Sequence, residues 1–149
     1  MPAYAIGIDS GTQATKALVA DAASGRVLGR GRAPHAMIGG LGPGASEQDP
    51  AVWVAAAEAA VAAALKQARI DAAKVAAIGV SGQQHGFVPL DRRGRVVRPA
   101  KLWNDTSTIA ETEELVAALG GRRKAVSRLG IAPAVGFTAS KILWLKRRE

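Results

Sequence analysis

The stretch YAIGIDSGTQATKALVADAASGRVLGRG, residues 4–31, decides how this chain folds. An apolar run (4–9) ends on Asp9, a small turn carries Ser10, Gly11 and Thr12, and a second run (15–21) follows. A third run (26–33) comes after the turn residues AASG. Strand-length runs joined by short links rich in turn residues predict two successive hairpins, a β-meander. The first turn admits two readings. It is a plain hairpin bend that Asp9 and Gly11 serve only as turn residues, or it is a loop shaped around a phosphate.

Outward from the meander, HAMIGGLGPGAS (35–46) is too rich in glycine for regular structure and reads as a loop. A helix start follows at SEQDPAVW, with Asp49 suited to the N-cap and Pro50 to the first helical position. Trp53, Ala56, Ala57, Ala60, Val61, Ala64 and Leu65 then recur at helical spacing, so one face packs on a sheet, and the small alanines let the helix sit close. KVAAIGVSG (74–82) reads as a buried fourth strand, parallel to an earlier one because a helix precedes it. FVPLDRRGRVVRPAKLW reads as a hairpin turning at DRRG. TSTIAETEELVAAL is a helix with Thr108 and Glu111 spaced as a capping box and Gly120 and Gly121 closing it. A last helix begins near FTASKILWLKRRE, with Thr138 as cap and Ile142 and Leu145 as its buried face. Strands, helix, strand and helix in this order mark an α/β protein, and such an order normally continues to further parallel strands. The chain is therefore expected to be incomplete.

The bulk composition narrows the function classes. With 48% apolar and 21% charged residues the chain is globular rather than disordered. Absence of cysteine excludes disulfides and thiolate metal sites, and fits the cytosol. The N-terminus lacks a basic n-region, and the alanine-rich run 51–65 is too short and too weakly apolar for a membrane span, so a soluble, cytoplasmic protein is expected. The net charge of +8 is concentrated late, where 13 of the 20 Lys and Arg but only 6 of the 12 Asp and Glu lie from Asp91 onward. That basic half comes without a nucleic-acid-binding motif and with few Phe and Tyr, so no nucleic-acid partner is expected.

Several signatures fail. No lysine follows a glycine, which removes the phosphate-loop pattern. GGLGPG has no strand leading into it, and GVSGQ places Gln83 where a nucleophile elbow needs glycine. His35 and His85 are too few and badly spaced for zinc. The opening turn survives. A carboxylate at the end of a buried strand, as Asp9 would be, is costly without partners or work. Gly11 lets backbone N–H groups approach an anion, Thr12 adds a hydroxyl donor and Lys16 adds positive charge. Asp9 would hold a hydrated magnesium ion beside the phosphates.

IGIDSGTQATK resembles the phosphate motif D-x-G-T-x-x-x-K/R of sugar kinases with the actin/hexokinase-like (ribonuclease H-like) fold. SEQDPAVWV, GVSGQQHGFVPLD, RPAKLWNDTST and GFTASKILWLKRRE then resemble, in order and at similar spacing, blocks of the xylulose kinases in the FGGY family of carbohydrate kinases. Together the five blocks cover nearly the whole chain, so the resemblance implies a partial N-terminal lobe over residues 1–149, without the second lobe.

The resemblance implies ATP and Mg2+ as cofactors and D-xylulose as substrate, phosphorylated to D-xylulose 5-phosphate. It places Asp9, Gly11, Thr12 and Lys16 at the nucleotide phosphates, with Asp9 on the metal through water. It places Gln84 and His85 on the sugar, some relatives carrying methionine where this chain has Gln84. A neutral imidazole can donate to and accept from sugar hydroxyls; the alternative for His85 is a turn histidine bonded to nearby backbone. Trp103 would pack on the sugar's C–H face or belong to the core. Asn104 and Asp105 would bond its hydroxyls, or Asp105 would cap the following helix. Lys141 reads as structural or solvent-exposed. The family's aspartate base lies beyond the region this chain reaches, so no catalytic residue is assigned here and the isolated chain is expected to have negligible kinase activity. Alternatives are a related kinase for ribulose, gluconate or glycerol, against which QQHG argues, or a non-catalytic sugar-binding module that pairs with a second copy or a complementing chain.

Overall fold

A computed structural model describes residues 3–149, which form two compact units. The first comprises the chain up to Met37 together with Pro50–Gln83; the second comprises Ile38–Asp49 and Gln84–Glu149.

The first unit is built on the expected meander. β1 (Tyr4–Ser10), β2 (Ala14–Asp21) and β3 (Val27–Pro34) pair antiparallel. The Gly11 amide donates to the Ala14 carbonyl at 3.1 Å to close the first hairpin. In the second, Gly25 takes a left-handed φ of +71° that a side chain would resist. After α1 (Pro50–Ala68), β5 (Val75–Gly82) returns parallel to β1, giving the strand order β3-β2-β1-β5. The short β4 (Glu47–Gln48) belongs to the other unit.

α1 lies on β3 and β2, and the reason is the small size of the residues on both sides of the contact. Ala56, Ala60 and Ala64 are buried, and beneath them stand Gly29 and Gly31. A Cβ at Gly29 would come within 2.3 Å of the Ala64 carbonyl oxygen, and one at Gly31 within 1.9 Å of that of Ala60. Ile6, Ala17 and Val19 complete this core, with Tyr4, Ile8, Val61 and Leu65 at its margin. At 19 residues and a mean hydropathy of 1.3, α1 is long and apolar enough to cross a membrane by length and composition, longer than the expected run 51–65; here its alanine face packs on strands.

One expectation fails in this unit. β5 is parallel as expected but not buried: Ile78 is 61% and Val80 73% exposed. β5 is an edge of the sheet and α1 covers β2 and β3 instead, so its apolar residues are left open.

In the second unit, β4 (Glu47–Gln48) pairs antiparallel with β6 (Ala100–Lys101), and Lys101 also bridges to Phe87. The hairpin at DRRG forms, with Leu90 opposite Val96 and Gly94 at a φ of +74°. Helices α2 (Ile109–Ala118), α3 (Arg122–Leu129) and α4 (Thr138–Arg148) follow. Neither β4 nor α3 carries a sequence signal strong enough to name it: β4 is two residues long, and α3 (RRKAVSRL) buries only Ala125.

Three details of capping and burial differ from expectation. Thr108 does stand at the N-cap of α2, but makes no side-chain cap bond, because its hydroxyl is shared with Ser140 at 2.9 Å. Glu111 is turned toward Arg148 instead of closing a capping box. α4 takes Phe137 as its N-cap, with Thr138 already helical. Ile142 is 54% exposed, whereas Ser140 and Lys141 are buried. α4 therefore presents polar groups inward, and Trp144 lies against two cations, with Lys101 Nζ 4.1 Å and Arg98 Cζ 4.8 Å from its ring centroid.

Candidate functional site

The phosphate candidates all lie in the first unit. Because side chains alternate along a strand, Ile6 faces α1 and Asp9 faces the opposite side. Asp9 stands directly across from Lys16 on β2 and Ser81 on β5, and Lys16 stands across from Arg32 on β3. Ser81, Asp9, Lys16 and Arg32 thus form one row across the open face of the sheet. That face carries a groove of about 820 Å³ whose lining includes Asp9, Lys16, Arg30 and Arg32, with Gly7 and Gly79 at its floor. One carboxylate among three cations suits a polyanion accompanied by a cation.

The turn beside this row is braced from within the chain. The Thr12 hydroxyl donates to Gln83 Oε1 at 3.4 Å, and the Gln83 amide to the Ser10 carbonyl at 3.0 Å. The Thr15 hydroxyl donates to Ser10 Oγ at 3.2 Å and lies 3.4 Å from His35 Nε2. Burial holds the His35 imidazole below its ordinary pKa, against an opposing hydrogen bond to the Thr12 backbone. The bracing role of His35 was not legible in sequence, where the residue stands 20 positions from Thr15. Gly11 acts differently from expectation. Its N–H is spent on closing the hairpin rather than left for an anion, and a Cβ there would meet nothing nearer than the Ala14 oxygen at 3.5 Å. Packing inside the chain thus does not demand glycine at position 11, and the open space lies toward whatever approaches the loop.

The sugar candidates all lie in the second unit, and Lys141 draws them together. Its ammonium donates to the carbonyls of His85 (2.7 Å), Leu102 (2.6 Å) and Gly136 (2.5 Å). The segment holding Gln84 and His85 therefore meets the one holding Trp103 and Asn104 at a single nitrogen. Lys141 is fully buried, so it is structural rather than solvent-exposed. Burial pulls it down to about 8, with Asp105 opposing and Lys101 adding to the fall.

His85 itself is exposed, with a left-handed φ of +58° that costs a non-glycine residue about 1–2 kcal/mol. Its ring stacks on Phe137 with centroids 4.2 Å apart and 12° between planes. Gln84 is exposed beside it. Trp103 is 51% exposed, which removes it from the core. Asn104 is exposed and its Oδ1 accepts from the Ser46 hydroxyl at 2.9 Å.

Asp105 is placed otherwise. Its carboxylate is wholly buried and accepts from the Ser46 amide (2.9 Å), the Ser107 amide (3.0 Å), the Ser107 hydroxyl (2.6 Å) and Lys101 Nζ (3.2 Å). Burial pushes its pKa up, but the hydrogen bonds from Ser107, Ser46 and Lys101 outweigh that and hold it below the ordinary carboxylate value. Lys101 is paired in turn with Glu47 at 3.1 Å, and Glu47 with Arg98 at 2.6 Å. This charged cluster supports the Trp103–Asn104 turn from below.

The family model described as the FGGY family of carbohydrate kinases, N-terminal domain, matches residues 4–149. A xylulose kinase of Streptomyces coelicolor is 44% identical over 144 residues, covering 97% of this chain and 28% of its own length. A xylulose kinase of Haemophilus influenzae is 44% identical over 146 residues, covering 95% of this chain and 29% of its own. Among solved structures, a "xyloylose kinase" from Brucella ovis superposes with a TM-score of 0.87 at 36% identity, over 97% of this chain and 29% of that one. The chain thus spans under a third of the length of these relatives, and its fold is that of the actin/hexokinase-like sugar kinases. The chain belongs to the FGGY family of carbohydrate kinases.

Proposed function

We propose that these residues supply the sugar-binding and phosphate-binding parts of an ATP-dependent kinase that converts D-xylulose and ATP to D-xylulose 5-phosphate and ADP. The observation that carries the reading is the convergence at Lys141, which brings the His85 and Leu102 carbonyls, and with them the exposed His85, Trp103 and Asn104, to one place. An imidazole and an amide offer both donors and acceptors to a polyol, and an indole offers an apolar face to its C–H groups. Gln84, His85, Trp103 and Asn104 touch the sugar in this reading. Asp105 supports them without touching it, since its acceptor sites are occupied by protein donors.

On the first unit, Asp9, Thr12 and Lys16 hold the nucleotide phosphates, and Gly11 leaves the space for them. An exposed carboxylate in a groove that also carries Lys16, Arg30 and Arg32 fits a hydrated magnesium ion that arrives with those phosphates, and Asp9 would hold it through water. Held there by Asp9, such an ion would supply neutralising charge for the transferred group. Lys16 adds a fixed positive charge, and the His35 brace keeps the turn in shape before the nucleotide comes. The proton acceptor for the sugar hydroxyl, in this reading, comes from the part of the family's length that these residues do not span, carried on a complementing chain or a continuation. The protein works in the cytoplasm.

Equilibrium dialysis of the 149-residue chain against D-xylulose, with and without ATP and magnesium, tests the assignment. Saturable retention of D-xylulose, lost in His85→Ala, is expected. Tighter retention of gluconate or glycerol would move the assignment to another polyol, and no retention of any sugar would remove it. A coupled ADP-release assay on the same sample is expected to show no sugar-stimulated turnover; turnover at a rate typical of sugar kinases would place the base within these residues.

A further inference from the structure

We propose that Lys141 is the positioning residue for His85, fixing the backbone that presents the imidazole while Phe137 fixes the plane of its ring. The proposal rests on the sugar reading of His85 given above. Lys141 lies on the first turn of α4, and Phe137 is the N-cap of the same helix, four residues earlier. Positions four apart share a helix face, so one short stretch grips His85 twice, by its carbonyl and by its ring.

The clamp is saturated. An ammonium has three donors and no acceptor, and all three go to the carbonyls of His85, Leu102 and Gly136. None of those carbonyls belongs to a helix or strand, and of the three the Leu102 oxygen also accepts from the Asp105 amide at 3.1 Å. His85 needs the restraint most, because its φ of +58° is one that a histidine leaves unless its surroundings hold it. Gly136 completes the contact, since a Cβ there would lie 2.2 Å from the Trp103 carbonyl oxygen. The charged groups facing Lys141 are Asp105, before α2, and Lys101, on β6. Their opposite effects leave burial as the main influence, and the side chain still carries its proton at neutral pH.

The chain's two histidines, His35 and His85, fall in different units, which makes each a control for the other. Long-range proton–nitrogen spectra of the 149-residue chain report both rings. In the wild-type chain the carbon-bound protons of His85 are expected upfield, shifted by the Phe137 ring; an unshifted ring would overturn the proposal. In a folded Lys141→Met variant the upfield shift is lost, His35 is unmoved, and D-xylulose binds at least tenfold more weakly. A folded variant that keeps the His85 shift overturns the proposal. Should the substitution unfold the second unit, an alkaline titration of the wild-type chain decides: the His85, Leu102 and Gly136 carbonyl carbons are expected to move together as Lys141 loses its proton, and carbons that move independently of that loss overturn it. D-xylulose failing to perturb the wild-type His85 ring, with the clamp signature present, refutes the sugar reading alone.

Discussion

Gly31 and Ala60 touch backbone to backbone: a Cβ added at Gly31 would sit 1.9 Å from the Ala60 carbonyl oxygen. The contact sets how near α1 comes to the meander. Gly31→Ala cannot be absorbed by a side chain swinging away, since the obstacle is main chain. It is expected to destabilise the first unit by about 3 kcal/mol, the upper range for overpacking, read as a lowered urea midpoint. Gly25→Asn, at an exposed left-handed turn, should cost well under 1 kcal/mol because Asn tolerates that conformation.

Lys16→Ala separates binding from folding. The side chain is exposed, so stability should stay within about 0.5 kcal/mol. Loss of a charged hydrogen bond to phosphate should weaken ATP–magnesium binding by about ten- to hundredfold, the equivalent of 1.5–3 kcal/mol. Dialysis with labelled nucleotide measures it. Unchanged retention would point the nucleotide elsewhere.

Asp105→Asn should do the reverse. Removing one charge from a buried cluster leaves Lys101 short of a partner, at a cost on the order of 3 kcal/mol to the second unit. Hydrogen exchange should report faster opening of α2 and α4, with the first unit unaffected. The wild-type carboxyl also has a pH signature. Its folded pKa lies below the unfolded value of 3.8, so the stabilisation is complete above 3.8 and fades as pH falls through the folded value.

Lys141 has a signature of the same sign, displaced to alkaline pH. It titrates near 8 in the folded chain and near 10.5 when unfolded, so between these values the unfolded chain binds more protons. Stability contributed through this group should therefore rise from pH 8 to 10.5, and Lys141→Met should abolish that slope. Denaturant midpoints collected across the range give the measurement.

Much of the first unit was legible because each of its elements carries its own period. Alternation marks β1 to β3, and the alanine spacing of α1 announces a close-packed face. The burial of β5 was misread, because an apolar run in sequence carries no sign of whether a helix will cover it. The second unit was harder. Its organising residue, Lys141, has the composition of a surface lysine, and nothing local shows that three loop carbonyls from positions 85, 102 and 136 will close on it. Phe137 hid in the same way, since its partner ring is 52 residues earlier. Family likeness suggests His85, Trp103 and Asp105 alike; geometry sets the buried Asp105 apart from its exposed neighbours.

The two units differ in what they enclose. Ile6, Ala17, Val19, Ala60 and Ala64 fill the first, whereas Glu47, Lys101, Asp105, Thr108, Ser140 and Lys141 are buried in the second. Exposing apolar surface raises heat capacity and exposing polar surface lowers it. The second unit should thus unfold with a smaller heat-capacity increment per residue and a flatter stability curve, losing less on cooling. The part proposed to hold the sugar would keep its shape over a wider span of temperature than the part proposed to hold the nucleotide.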